Sequence, residues 1–432
     1  MVKPFHDSLP NKRQKDSGIR RNMKPLLFLS QRIPFPPNKG DKLRAFFVLR
    51  HLAKSWKIHL GCFIDDPTDW QYVDELRPYC EDLCCVGLDR RWAKIRSLQG
   101  LVTGTSLSEP YFRNTRMSGW VNGVLRDVRP SAAFLYSSVM GQYIPFNGPL
   151  RPGRVVMDFV DVDSDKWRQY AAMRTGPMRW IYHRESRRLL EFDRTIARHA
   201  DASIFVSPPE ADLFRRLAPE VAATTHAISN GIDFDYFSQS PAHANPFPAG
   251  SRPIVFTGAM DYWPNVDACG WFAESLFPAI RDKVPEALFY IVGGNPTDSV
   301  RALGNGPGIT VTGRVPDVRP YLAHAALAVA PMRVARGIQN KVLEGMSMGR
   351  IVVTTGQGLE GIDAIPGQEL LVADDAGAFV EACVSGLLDP IVAGLGPAAR
   401  RRIEKDYSWQ DKQMAYERLL AGGVMPAVSP VS

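Results

Sequence analysis

Residues 333–355 read RVARGIQNKVLEGMSMGRIVVTT, with the apolar run LAVAPM (327–332) leading in and RIVVTT (350–355) leading out. Wound as a helix over 337–348 at about 100° per residue, Gly337, Asn340, Lys341 and Glu344 fall within roughly 100° of one another. Val342, Leu343 and Met346 take the opposite side. The polar set then lines a face near a helix N-terminus, and the apolar set packs on a sheet. A helix start after a strand offers unpaired N–H groups and a positive dipole end, which suits phosphate. Gly337 lets a backbone approach a ligand closely. Lys341 adds a mobile positive charge, and Glu344, one turn deeper, can accept two hydroxyl hydrogen bonds. Phosphate beside a diol describes the diphosphate and ribose of a nucleotide. The same residues could equally make an i,i+3/i+4 network on a helix surface, so their neighbours decide.

Three further stretches carry reactive side chains. In RIPFPPNKGDKLR (32–44) Gly40 can turn backbone N–H groups toward a ligand, and Lys39 or Lys42 can reach a phosphate. A plain strand–helix loop with solvated lysines is the alternative. DFVDVDSDKW (158–167) sets Asp158, Asp161, Asp163 and Asp165 at the end of an apolar run. Alternating carboxylates could bind a divalent cation or supply a base for a hydroxyl, with Asp161 and Asp163 the candidates for the base. They could instead cap the following helix and pair with the basic block after it. CEDLCC (80–85) has no second Cys/His cluster at zinc spacing, so its cysteines read as core thiols.

The elements that must position these residues follow from patterning. At 432 residues and 45% hydrophobic content the chain fits two globular domains with proper cores. Apolar runs occur at 25–30, 57–63, 82–88, 131–137, 154–160 and 202–207, then at 253–258, 288–294, 308–313, 327–332, 350–355 and 369–374. They are continuous rather than alternating, which marks strands buried on both faces of a parallel sheet. Helical patterns at 41–54, 185–199, 264–282 and 376–388 lie between them. The fold class is α/β, with two successive doubly wound, Rossmann-like domains facing across a cleft. The boundaries expected are a disordered basic tail over 1–24, an N-terminal domain over 25–235 and a linker over 236–252. A C-terminal domain over 253–405 and a last helix within 406–422 complete the chain.

Composition excludes several function classes. No run of about 18 apolar residues marks a membrane-spanning helix, and the early PLLFLS lacks the length and cleavage site of a signal peptide. Six unevenly spaced cysteines make no disulfide framework. A cytoplasmic protein is expected. The net charge of +7 is local: residues 1–24 carry +5, residues 166–188 carry +6, and the remainder sums to −4. Nucleic acid is therefore not the expected partner. The block KWRQYAAMRTGPMRWIYHRESRR (166–188) interleaves Trp167, Tyr170, Trp180 and Tyr182 with seven cations. RRWAKIRSLQGLV (90–102) repeats Trp92, Ile95, Leu98, Leu101 and Val102 at helical spacing. Both suit peripheral contact with the inner face of an anionic membrane, or two amphipathic helices covering their own core.

Taken together and in order, several stretches resemble one family. GIQNKVLEGMSMGRIVVTT (337–355) is similar to the nucleotide-sugar signature of family 4 glycosyltransferases, which have the two-domain GT-B fold. SNGID (229–233), FVSPPEADLF (205–214), FTGAMDYWPNVDA (256–268), TGRVPDVRPYLAHAALAVAPM (312–332) and YSW (407–409) look like further family segments. The resemblance spans about 25–420 and leans toward a subgroup found in bacterial exopolysaccharide gene sets.

It implies transfer of a hexosyl group, with retention, from a nucleotide diphosphate sugar to a glycan or lipid-linked acceptor. The donor would bind the C-terminal domain and the acceptor the N-terminal one. No metal or other cofactor is expected, and the last helix would cross back onto the N-terminal domain. Glu344 matches the family's second acid, on the ribose. Gly337, Ile338, Gln339, Asn340 and Lys341 match the diphosphate cradle, where Lys341 stabilises the departing group. Gly313, Arg314 and Val315 match the loop beside the base, and Gly258 and Asn265 the loop opposite the phosphates. One departure stands out: the first acid of the motif is Arg336 here, which would add positive charge at the diphosphate or favour an acidic donor sugar. A nucleotide-sugar epimerase of similar fold, or a non-catalytic nucleotide-sugar-binding partner protein, are the competing readings.

Overall fold

A computed structural model describes residues 23–37, 40–234, 236–335 and 337–423. The first 22 residues of the expected tail, Lys39 and Arg336 lie outside them. The described residues divide into two compact units, of which one is Asn230–Gln410 and the other holds the described residues before Asn230 together with those from Asp411 onward.

The N-terminal unit is built on seven parallel strands: β1 (Lys24–Ser30), β2 (Trp56–Ile64), β3 (Asp82–Gly87), β4 (Ala132–Tyr136), β5 (Val155–Val160), β6 (Ala202–Phe205) and β7 (Thr225–Ala227). Their order is β3-β2-β1-β4-β5-β6-β7. Leu26 through Leu29 are fully buried, as a strand covered on both faces by helices requires. Leu26 pairs with Ile58 on one side and Ala132 on the other.

The C-terminal unit has six: β8 (Arg252–Thr257), β9 (Ala287–Val292), β10 (Ile309–Gly313), β11 (Leu327–Ala330), β12 (Ile351–Thr354) and β13 (Leu371–Val372). All are parallel, in the order β10-β9-β8-β11-β12-β13. In each sheet the direction of winding reverses between the first and fourth strands. A crevice opens at such a reversal, outside the carboxyl ends of the strands.

Two details differ from the expected elements. β7 carries only Thr225, His226 and Ala227, too short and too polar for its pattern to show. The helix expected over 337–348 runs from Asn340 to Ser347. Gly337 is left-handed (φ +64°) and Gln339 is extended, so the chain turns before it winds.

The stretch 236–252 is packed into its unit rather than free. The Phe247 ring lies 4.7 Å from that of Tyr290, and the Phe237 carbonyl accepts from Ser347 Oγ at 2.9 Å. The two ends of this unit meet. Ile232 and Ser408 form an isolated parallel bridge, Ile232 N donates to Tyr407 O at 2.9 Å, and Gly231 leaves room for the Trp409 ring. The helix Trp409–Leu420 then buries Tyr416 and Leu419 in the N-terminal unit. Among the described residues no single helix is long and apolar enough to cross a membrane.

Candidate functional site

The crevice between β8 and β11 gathers the residues singled out at 337–344. β8 ends in Thr257, and the helix Asn340–Ser347 joins β11 to β12. Val342, Leu343 and Met346 are buried on the sheet, as the periodicity predicts, which leaves Asn340, Lys341 and Glu344 on the other face, partly open to solvent. Thr257 donates its hydroxyl hydrogen bond to Glu344 and so ties the helix to the strand end.

Lys341 and Glu344 are half-buried beside each other, and this burial sets their protonation. Burial pushes the Glu344 carboxyl up to about 7, against the pull of Lys341 and the Thr257 hydrogen bond. Burial likewise lowers the Lys341 ammonium to about 8, although Glu344 favours its charge. Lys341 Nζ donates to Gln339 Oε1 at 3.1 Å and lies 5.3 Å from the centre of the Phe256 ring. Its surroundings thus supply one neutral amide, a ring face and a half-protonated acid. A doubly charged diphosphate would compensate it far better.

Around this pair the backbone comes close to itself. A Cβ on Gly258 would fall 2.7 Å from Asn265 Nδ2, and one on Gly293 only 1.7 Å from the Gly258 carbonyl oxygen. Asn265 Nδ2 donates to Ala259 O at 2.9 Å and braces the loop after β8, while its Oδ1 is buried without a partner. Gly293 N donates to Gly313 O at 3.2 Å, and Gly313 turns at φ +68°. Gly258 and Gly313 are therefore held at the ends of β8 and β10, one on each side of β9. The exposed Arg314 side chain lies over Gly294, and Val315 is half-buried beside it. No hydrogen bond or ion pair among the described residues links Arg314 or Val315 to Lys341 or Glu344. Gly337 and Ile338 are buried at the turn, and Gln339 Nε2 donates back to Gly337 O at 3.2 Å.

Four residues of this region were not singled out from sequence. Asn230 Nδ2 donates to Asn340 Oδ1 at 3.1 Å and fixes that amide's orientation. The Arg319 guanidinium stacks 3.9 Å over the Tyr236 ring, whose hydroxyl is pushed up to about 12 by burial, with the charges of Asp317 and Glu344 adding to the shift. Thr257 is the fourth. Asn230, Thr257 and Arg319 lie inside stretches with a sequence signal, SNGID, FTGAMDYWPNVDA and TGRVPDVRPYLAHAALAVAPM, and only Tyr236 lies outside all of them.

In the N-terminal unit the sequence candidates disperse. Gly40 opens the helix Gly40–Leu52. Lys42 is buried and paired with Asp69 at 2.5 Å, so it is not held out toward a phosphate. The four aspartates of 158–165 do not converge on a cation. Asp158 is buried against Arg44 at 2.9 Å, and Asp165 binds Arg168 and Gln169. Asp161 and Asp163 share Lys166 Nζ at 2.8 and 2.9 Å, and burial of Asp161 leaves its Oδ1 without a partner. Among the described residues no three His, Cys, Asp or Glu side chains cluster as metal ligands. The strand ends here are strained, since Ser137 after β4 and Val160 at the end of β5 have φ of +73° and +70°.

Comparison with known proteins places this geometry. Residues 251–389, which include Thr257, Lys341 and Glu344, match the family model described as glycosyl transferases group 1. No curated protein sequence matches the chain. Among solved structures, sucrose-phosphate synthase from Thermosynechococcus elongatus superposes with a TM-score of 0.67 at 18% identity, over 93% of this chain and 100% of that one. Anabaena HepE in complex with UDP-glucose gives 0.67 at 14%, over 92% and 100%. WaaG, a glycosyltransferase involved in lipopolysaccharide biosynthesis, gives 0.62 at 15%, over 92% and 100%. The fold is GT-B, with two Rossmann-like units.

Proposed function

We propose that this chain is a retaining glycosyltransferase that moves a sugar from a nucleotide diphosphate sugar to a glycan or lipid-linked acceptor, in exopolysaccharide synthesis. The observation that carries this reading is the Thr257–Glu344–Lys341 arrangement at the strand reversal, inside the segment that matches the group 1 model. The UDP-glucose bound by Anabaena HepE supports a nucleotide-sugar donor.

In this reading Glu344 accepts the two ribose hydroxyls, and Thr257 holds its second function. The diphosphate lies over Gly337–Lys341, where helix N–H groups and Lys341 Nζ meet its charge, so no metal is required of the reaction. Gly313, Arg314 and Val315 flank the base. Gly258 and Asn265 shape the opposite wall. Compensation by Lys341 grows as the diphosphate departs and takes on charge, which is the condition for acceleration rather than mere binding. The acceptor hydroxyl attacks the anomeric carbon on the face the diphosphate leaves, and its proton passes to the departing oxygen. On the acceptor side Asp161 is the carboxylate we assign to that hydroxyl, with Lys166 fixing Oδ2 and leaving Oδ1 unpartnered; Asp163 helps to hold Lys166.

Calorimetry with UDP, GDP, ADP and dTDP tests the donor assignment. One nucleotide should bind, and Glu344→Ala should weaken it. No binding by any of the four would sink the reading. Product analysis then separates transfer to an acceptor from isomerisation of the donor.

A further inference from the structure

Two helical segments of the N-terminal unit are built inside out. The helix Arg90–Ser97 turns Ala93 inward and gives Arg96 to the carbonyls of Pro110 and Tyr111, at 2.6 and 2.7 Å. Outward it presents Trp92, 69% exposed, and Ile95. Leu98, Leu101 and Val102 continue that face, with Val102 91% exposed. The second segment is a helical hairpin, Asp163–Ala172 and Gly176–His199, held by the rings of Trp167, Tyr170 and Tyr182. All nine residues from Ala172 to Trp180 at its tip are exposed, Met173, Met178 and Trp180 among them. Here too the charged side chains Arg184 and Glu185 point inward.

The inward charges join the two segments into one surface. Arg184 Nη2 donates to Gly100 O at 2.6 Å, and Glu185 accepts from the backbone N–H groups of Leu107 and Ser108 at 2.7 and 3.3 Å. Trp180, four residues before Arg184 and about 6 Å from it along the axis, is exposed on the same helix. Cations surround these apolar residues without acids. Residues 90–103 contain no Asp or Glu, and in 172–188 the sole acid is the buried Glu185. Arg91, Lys94, Arg174, Arg179 and Arg187 form no ion pair among the described residues.

We infer that this surface docks on an anionic lipid bilayer. Indole and methionine side chains suit the acyl–headgroup boundary, and unpaired guanidinium groups suit anionic headgroups around them. An acid-free cationic rim is complementary to such a leaflet. A folded-protein partner of mixed charge would be met by carboxylates as well. That the acceptor is then lipid-borne rests on the transfer reading above; the docking itself does not.

Cosedimentation of the full chain with vesicles tests it, without donor or acceptor present. The wild type should bind vesicles of phosphatidylcholine mixed with phosphatidylglycerol, bind phosphatidylcholine alone weakly, and detach as salt rises. Replacing Arg174 and Arg179 together by Gln should lower the partition coefficient about thirtyfold. Replacing Trp92 and Trp180 by Ser should lower it about tenfold. Ile391→Ser, at an exposed apolar residue of the other unit, should change nothing. These surface variants should keep the wild-type melting temperature and nucleotide affinity. Equal binding to both vesicle types, or binding indifferent to the Arg and Trp changes, would overturn the inference. So would self-association of the wild type that the same substitutions abolish, because the surface would then belong to a second copy.

Discussion

Arg44–Asp158 in the N-terminal unit and Lys341–Glu344 in the C-terminal unit are both acid–base pairs shielded from water, the first fully and the second in part, and their surroundings treat them differently. Asp158 accepts from Arg44 Nε at 2.9 Å, from the Tyr416 hydroxyl at 3.2 Å and from Val160 N at 3.0 Å. Arg44 also reaches Ile228 O at 2.8 Å. Burial works against both charges and raises the Asp158 carboxyl even against Arg44, but Asp158 keeps the Arg44 guanidinium charged and raises its pKa. Lys341 and Glu344 share no hydrogen bond among the described contacts, and burial drives both toward neutrality. A pair held by several partners locks a structure. A pair left short of partners waits for a ligand.

The sharpest way to break this contrast is Asp158→Asn, which strands Arg44 in the core and should cost about 3–5 kcal/mol, read by urea unfolding. The double change Arg44→Met with Asp158→Leu should cost much less than the sum of the single ones. If the two sets of costs simply add, the pair is not acting as a lock.

Glu344→Gln should do the reverse. Nucleotide affinity should fall about tenfold to a hundredfold as a charge-assisted hydroxyl contact is lost, with folding stability at neutral pH within about 1 kcal/mol of wild type. Linkage sharpens this. Between about pH 4.5 and 7 folded Glu344 holds a proton that the unfolded chain releases, so its contribution to stability declines as pH rises through that window. Unfolding of the Gln variant across those pH values should show the decline removed.

Lys341 makes a smaller and graded prediction. Above about pH 8 the free protein loses the ammonium charge, so diphosphate affinity should fall by up to about tenfold per pH unit. Below that pH it should level off. Proton uptake on binding, measured in buffers of different ionisation enthalpy, should appear in the same range. The smallest effect expected is for Tyr416→Phe, which removes one of three hydrogen bonds to Asp158 and should cost about 1 kcal/mol.

The contrast also explains what the sequence revealed. Twelve of the thirteen strands show as continuous apolar runs because parallel strands bury both faces. The helix Asn340–Ser347 was legible because its polar residues interrupt an apolar period at one face. Gly337 gave no sign that it lies before the helix, since glycine suits a turn and a close approach alike. The aspartates of 158–165 look alike in sequence, yet Asp158 answers to Arg44, 114 residues away in the chain. Partners at that distance leave no local pattern. Tyr236 and Arg319 escaped notice for the same reason, because their stacking joins a turn to a helix start far away in sequence.

Because Ile232 and Ser408 are bridged, the C-terminal unit begins and ends at one stapled neck and is, in topology, an insertion into the N-terminal unit. A single pair of cuts flanking that neck removes it whole, without opening either sheet. Recombination could therefore exchange this insert for another while Arg44, Asp158 and Tyr416 hold the host closed, and grafting across this neck is the direct route to chimeras that test the proposed donor assignment.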